Sequence, residues 1–253
     1  MASRSDTVGP PSKALWAREA LAWPEFGAFV ATVQWWGLAP RGDGHPVLVL
    51  PGLVQSDLST RPLRSFLRTR GYAVSGWGLG RNTGRAGVVD ESLLRKLREL
   101  HEQHGRKVSL IGWSMGGLFA RDLARRAPEA VRQVITLGSP FTGPAKASNA
   151  WRLYEALSGD RAGDPELAAR FGGQLAVPTS AIYSRRDGIV AWQCCVNQPG
   201  ARTENIAVTS THLGLGHHPA VLCAVADRLA QREDAWRPFR PGLAVRWMFP
   251  AAH

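Results

Sequence analysis

Val108-Ser109-Leu110-Ile111-Gly112-Trp113-Ser114-Met115-Gly116-Gly117 is the stretch on which the reading of this chain turns. Its first part is a short apolar run of strand type, predicted over Lys107 to Gly112, and the pattern then changes to a helical period from Met115 to Arg126. Gly-X-Ser-X-Gly stands at that change of period. A serine on a tight strand-to-helix turn lifts its hydroxyl above the sheet, and glycines on either side let strand and helix approach closely. The amide after the serine then faces any oxyanion formed on it, and the helix N-terminus adds a field favourable to negative charge. Ser114 is therefore the candidate nucleophile and Met115 one candidate oxyanion donor.

The same alternation extends in both directions. Upstream, His45 to Leu50 reads as a buried strand stopped by Pro51-Gly52, followed by a helix near Thr60 to Arg70, a strand at Tyr72 to Trp77 and a helix near Asp90 to His104. Downstream come strands at Val131 to Gly138, Thr179 to Tyr183 and Asn205 to Val208, then a helix at Pro219 to Gln231. Strands separated by helices predict a mostly parallel sheet covered on both faces. Residues 142–175 interrupt this rhythm with polar, helix-prone sequence and read as an inserted cap or lid. Residues 1–40 read as an N-terminal helical segment whose Trp16, Trp23, Trp35 and Trp36 are expected to pack on the core, with an interfacial helix that meets oily substrate as the lesser reading. Residues 1–253 as a whole read as one domain.

Composition narrows the class. The chain has 253 residues, enough to bury a core without staples, and 44% hydrophobic with 20% charged residues is an ordinary globular balance. Lys plus Arg is 31 against 20 Asp plus Glu, a formal +11 that is nearly all arginine. Such a charge bears on solubility and on attraction to anions. No block of like charge suggests a nucleic-acid site, so a solvated basic surface is expected, with at most weak contact to anionic membrane surfaces. Cys194, Cys195 and Cys223 form neither a disulfide framework nor a zinc pattern, and no metal or cofactor is expected. The first residues lack the apolar run of a signal peptide, and no stretch reaches the length of a membrane span. A soluble, cytoplasmic protein is expected.

A serine hydroxyl needs a base, and the base needs a carboxylate to fix its tautomer. Of the carboxylates after Ser114, Asp187 alone lies just past a strand, with Gly188 allowing a sharp turn; Glu155, Asp160, Asp164, Glu166, Glu204 and Asp227 lack that placement. His212 follows the last strand by a short loop, Thr209-Ser210-Thr211, and is preferred as base over His217, His218 and His253. His45 precedes the nucleophile and reads as structural. The second oxyanion amide is assigned to Leu53, in the loop after the His45 to Leu50 strand, with Val54 as its neighbour.

Together Arg41 to Gly52, Gly112 to Gly117 and the Asp187 and His212 segments resemble the α/β-hydrolase superfamily, most closely its bacterial esterase- and lipase-like members, over about residues 40–231. The resemblance implies an α/β-hydrolase fold and carboxylic ester hydrolysis through an acyl-enzyme, with Ser114 as nucleophile, His212 as base and Asp187 as its orienting partner. Trp113, Phe141, Trp151 and Trp192 are expected around the opening, favouring short to medium apolar acyl groups in a small-molecule or lipid-like ester. Thioesterase or acyltransferase chemistry on the same residues, or a non-catalytic binding protein on a hydrolase scaffold, are the alternatives. Oligomeric state is not legible.

Overall fold

The computed structural model describes residues 8–250, apart from the side chains of 86–90; His253 lies outside the described residues. Six strands, β1 (Pro46–Leu50), β2 (Ala73–Gly76), β3 (Val108–Trp113), β4 (Val131–Leu137), β5 (Thr179–Ser184) and β6 (Thr203–Val208), form one sheet in the order β2-β1-β3-β4-β5-β6. Every pairing is parallel. The order turns at β1, so β1 and β3 lie centrally and their ends receive loops from both halves.

Both faces of this sheet are covered, which is why β1, β3 and β4 are buried without alternation. Val47 and Val49 point to the face packed by α3 (Arg61–Thr69) and α8 (Pro219–Ala230), through Leu63, Phe66, Val221 and Val225. Leu48 and Leu50 point to the other, where α4 (Ala86–His104) and α5 (Met115–Arg126) contribute Leu93, Leu97, Phe119 and Leu123. Each such buried side chain contributes about 1.5–3 kcal/mol of hydrophobic stabilisation. α4 begins at Ala86, four residues before the expected Asp90, and takes in Gly87.

Between β4 and β5 the chain leaves the sheet and carries α6 (Trp151–Ser158) and α7 (Pro165–Phe171). Asp164 caps α7 by accepting from the Glu166 amide at 2.8 Å, and Pro165 opens the helix where no donor is needed. This excursion is tied to α5 by arginines. Asp122 takes two bonds from Arg170, at 2.8 and 2.6 Å, and Arg121 donates to the carbonyls of Phe171 and Gly173.

Two expectations need correction here. The arginine excess is not simply a solvated surface: Arg121, Arg132 and Arg228 are buried and hold carbonyls or carboxylates. Residues 8–40 of the N-terminal segment carry α1 (Lys13–Ala17), α2 (Ala22–Thr32) and 3₁₀ turns after each. Its tryptophans, however, do not all face the core. Trp36 packs on Phe29 and Phe66, whereas Trp16, Trp23 and Trp35 are exposed. Beside Phe29 and Trp36, this segment also turns the acid Glu19 inward.

Candidate active site

Ser114 sits at the joint of β3 and α5 with φ 52° and ψ −120°, a conformation that L-residues rarely hold. The joint is forced by close approach. A Cβ at Gly112 would lie 2.3 Å from the Gly116 carbonyl oxygen, and one at Gly116 would lie 2.3 Å from that of Leu50. Only glycine at both positions lets α5 start directly against β1 and β3. The Ser114 amide donates to Leu137 O at 2.8 Å, fixing the turn to the end of β4.

His212 and Asp187 come from the loops after β6 and β5. Both are almost fully buried, and His212 Nδ1 pairs with Asp187 Oδ2 at 2.6 Å. The other oxygen, Oδ1, accepts from the amides of Ile189 and Val190 at 2.8 and 2.7 Å, so the carboxylate cannot turn away. The pair meets the serine turn at Gly138, which follows Leu137. A Cβ there would stand 3.2 Å from both Asp187 Oδ2 and His212 Nδ1. Trp113, the residue before the serine, donates its indole N–H to His212 O at 3.1 Å. Thus Ser114, Asp187 and His212, widely separated along the chain, share one set of backbone anchors at the carboxyl ends of β3 to β6.

Burial pushes the His212 imidazole pKa down, but the Asp187 charge, its hydrogen bond and the charge of Glu19 together lift it above the usual value of 6.5. Glu19 belongs to the N-terminal segment and is itself buried. Its Oε1 accepts from the amides of Gly188 at 2.7 Å and His212 at 3.0 Å, and its Oε2 from Leu213 at 2.9 Å. Glu25 serves the same loop one turn away: it accepts from the Thr211 amide and from the hydroxyls of Ser210 and Thr211, all at 2.9–3.0 Å. Sequence reasoning missed both residues. The available signal was that they are the only acids of residues 7–40, an otherwise apolar and basic stretch.

The competing residues are engaged elsewhere. His217 lies edge-on to Phe26 and meets Ala22 O at 3.3 Å, while His218 caps α8 through the Ala220 amide. His45 is structural as expected, held between Asp43 and Ser109 Oγ. Glu204 pairs with Arg228, and Asp160 accepts from the Tyr154 hydroxyl. Among the described residues no group of three or more His, Cys, Asp or Glu could hold a metal ion.

A cavity of about 550 Å³ opens beside the serine, lined by Leu53, Ser114, Met115, Leu118, Phe141, Trp151, Leu167 and Phe171 among others. Leu53 and Met115 therefore reach the same space as Ser114. Leu53 is delivered by a loop in which Val54 holds φ 57° while its amide donates to Asn82 O at 2.8 Å. Of the aromatic residues expected around the opening, Phe141 and Trp151 line it. Trp113 and Trp192 do not: the first is buried behind the histidine loop, and the second stacks on Tyr183.

Comparison with known proteins agrees with this architecture. The chain is 31% identical over 103 residues to pimeloyl-(acyl-carrier protein) methyl ester esterase of Aliivibrio salmonicida, a match covering 39% of this chain and 38% of that one. Among solved structures it resembles Aspergillus fumigatus lipase B (TM-score 0.61, 18% identity, 74% of this chain, 52% of the lipase). It also resembles a Bacillus licheniformis lipase (TM-score 0.56, 16% identity, 76% and 94%). These likenesses establish the α/β-hydrolase fold, while the chain spans only 38% of the esterase and about half of lipase B. Residues 46–184, more than half of the sequence, match the palmitoyl protein thioesterase family, and the chain belongs to that family of α/β-hydrolases.

Proposed function

We propose that this protein hydrolyses carboxylic esters of short to medium apolar acyl chains through an acyl-enzyme on Ser114. The reading is carried by the buried Asp187–His212 pair at 2.6 Å, anchored to the same backbone as a strained serine that opens on an apolar cavity. Ser114 Oγ attacks the acyl carbon and passes its proton to His212. The amides of Leu53 and Met115 receive the oxyanion, and collapse of the tetrahedral intermediate expels the alcohol with the proton returned from His212. Water, deprotonated by His212, then releases the acid and restores the serine. Asp187 holds the imidazole's orientation and stabilises its positive form. Residues 142–175 act as a cap, presenting Trp151, Leu167 and Phe171 to the acyl chain.

The family match favours a second reading on the same residues, thioester rather than oxygen-ester cleavage. The three free cysteines, Cys194, Cys195 and Cys223, support a reducing, cytoplasmic location.

The test is a fluorophosphonate label with mass mapping, run beside p-nitrophenyl esters and acyl-coenzyme A thioesters of graded chain length. Labelling at Ser114, and a fall of about 10⁴–10⁶ in kcat for Ser114→Ala and His212→Ala, is the expected result. Labelling elsewhere, or turnover retained in His212→Ala, refutes the assignment. Higher kcat/KM on thioesters than on matched oxygen esters selects the second reading.

A further inference from the structure

The N-terminal segment is inverted relative to an ordinary surface helix. Glu19 and Glu25 are turned to the loops after β5 and β6, and apart from Phe29 and Trp36, which pack on the core, most of its large apolar side chains face outward. The C-terminal tail also turns apolar side chains outward. Trp16, Trp23, Trp35 and Leu38 of the first, with Leu243 and Trp247 of the second, are between 57% and 88% exposed. The two segments meet across an apolar groove of about 1050 Å³ that takes Trp35 and Leu38 from one side and Trp247, Met248 and Phe249 from the other. So much clustered apolar surface on a water-facing exterior marks a site of contact.

Charge identifies what the surface would meet. Within residues 13–38 and 237–250 the basic side chains Lys13, Arg18, Arg237, Arg240 and Arg246 are all exposed, and the only acids are the two already turned inward. The nearby Asp227 on the groove wall is paired with Arg228. A two-fold contact with a second copy would bring these bases against their own equivalents, a like-charge arrangement that opposes association. Tryptophans and leucines flanked by arginines, with no free acid, are instead the composition of a helix lying in the headgroup region of a bilayer.

We infer that the outer faces of residues 13–38 and 237–250 form a docking surface for an anionic lipid bilayer. Tryptophan and leucine side chains enter the interface, and the five bases meet lipid phosphates. The inner side of the same strap holds the His212 loop, so the docked face lies next to the catalytic loops rather than remote from them. The inference goes beyond the catalytic reading and stands without it.

The experiment uses the full chain carrying Ser114→Ala, so that no lipid is turned over, in flotation with vesicles of equal parts phosphatidylglycerol and phosphatidylcholine or of phosphatidylcholine alone. Preferential partition to the phosphatidylglycerol vesicles, weakening as salt rises, is expected. Trp23→Ser/Trp35→Ser/Trp247→Ser should lower that partition roughly tenfold or more. Arg18→Gln/Arg240→Gln/Arg246→Gln should lower it about fivefold per arginine and flatten the salt dependence. All six positions are exposed, and unchanged circular dichroism and thermal midpoints check that the variants fold. Recovery of the protein free of vesicles at low salt would overturn the inference. So would partition indifferent to both triple variants, or a concentration-dependent dimer that the tryptophan variant dissolves. Because the catalytic serine is already absent, none of these outcomes reflects on ester hydrolysis.

Discussion

Replacing Glu19 by glutamine takes one negative charge from beneath the histidine loop while keeping the side chain's length and one acceptor oxygen. In the native protein Oε1 accepts from Gly188 and His212, and Oε2 from Leu213. A glutamine oxygen in place of Oε1 keeps two bonds in weaker, neutral form and sets its NH₂ group against the Leu213 N–H, donor to donor. Bonds to an ionised acceptor contribute about 1.5–3 kcal/mol against about 1 for neutral ones, and a stranded buried N–H costs about 1–3 kcal/mol. The expected destabilisation is on the order of 2–7 kcal/mol, large beside a typical total of about 5–15 kcal/mol.

The same substitution acts on His212, the proposed base. A neutral imidazole is needed to take the serine proton, so kcat/KM rises with pH through the His212 pKa. Glu19 is one of the groups that lift this pKa, so Glu19→Gln moves the acid limb to lower pH. It also lowers the plateau kcat, because the imidazolium formed in the transition state loses a neighbour that stabilises it. A pKa raised in the folded state contributes stability that is complete below the unfolded value of 6.5 and is lost as pH rises through the folded one. The stability gap between wild type and variant is therefore wider below pH 6.5 than in alkaline buffer. Urea midpoints at both pH values and a pH profile of p-nitrophenyl ester turnover test this together. Superimposable profiles with unchanged midpoints would make Glu19 a bystander.

Three further substitutions probe the parts around it. Val54→Gly relieves about 1–2 kcal/mol of left-handed strain against about 0.5–1 kcal/mol of added chain entropy, so stability should stay within about 1 kcal/mol while kcat drops as the Leu53 amide loosens; a loss above about 3 kcal/mol in a denaturation curve contradicts the strain argument. Arg121→Met strands the carbonyls of Phe171 and Gly173 and removes the guanidinium stacked 3.9 Å from the Phe141 ring centroid. It should cost about 2–5 kcal/mol and raise KM more for longer acyl chains than for acetate, and a uniform change across a chain-length series would separate the anchor from the cavity. His45 has the opposite pH sign to His212. Burial, despite Asp43, brings its pKa down to about 4, so its contribution is full above 6.5 and is lost as pH falls toward 4. The urea midpoint of His45→Gln should fall less than that of wild type on acidification, and equal slopes would remove His45 as the cause.

What could be read from sequence was what local chemistry dictates. Ser114 was visible because the hydrophobic period changes at a glycine-bounded residue, and the glycines are compulsory where α5 meets β1 and β3. Asp187 and His212 were visible because each follows a strand, and parallel strands deliver their ends to one edge. The inward side of the N-terminal segment was not visible, and the failure has a definite cause. Periodicity assigns the apolar side of a helix to the core, but nearly every residue from 14 to 38 is apolar, so no side stands out. The buried arginines escaped for a related reason: Arg121 is placed by carbonyls some 50 residues away, on α7 and just beyond it, which no local pattern encodes.

The strap's two acids are explained by an obligation created elsewhere. When β5 and β6 end in tight turns that aim Asp187 and His212 at each other, the amides of Gly188, Thr211, His212 and Leu213 are left pointing the other way. Buried N–H groups must find acceptors. A carboxylate can accept several bonds at once and strengthens each through its charge. Glu19 and Glu25 take all four, across sequence separations of 169 to 194 residues. Once Glu19 is the acceptor its charge also acts on the imidazole, so the group that satisfies the loop's backbone adds to the larger effect of Asp187 on the histidine's basicity. Glutamine keeps two of the three amide bonds to residue 19 and removes the charge outright, so it weakens the first role and abolishes the second, whereas alanine abolishes both.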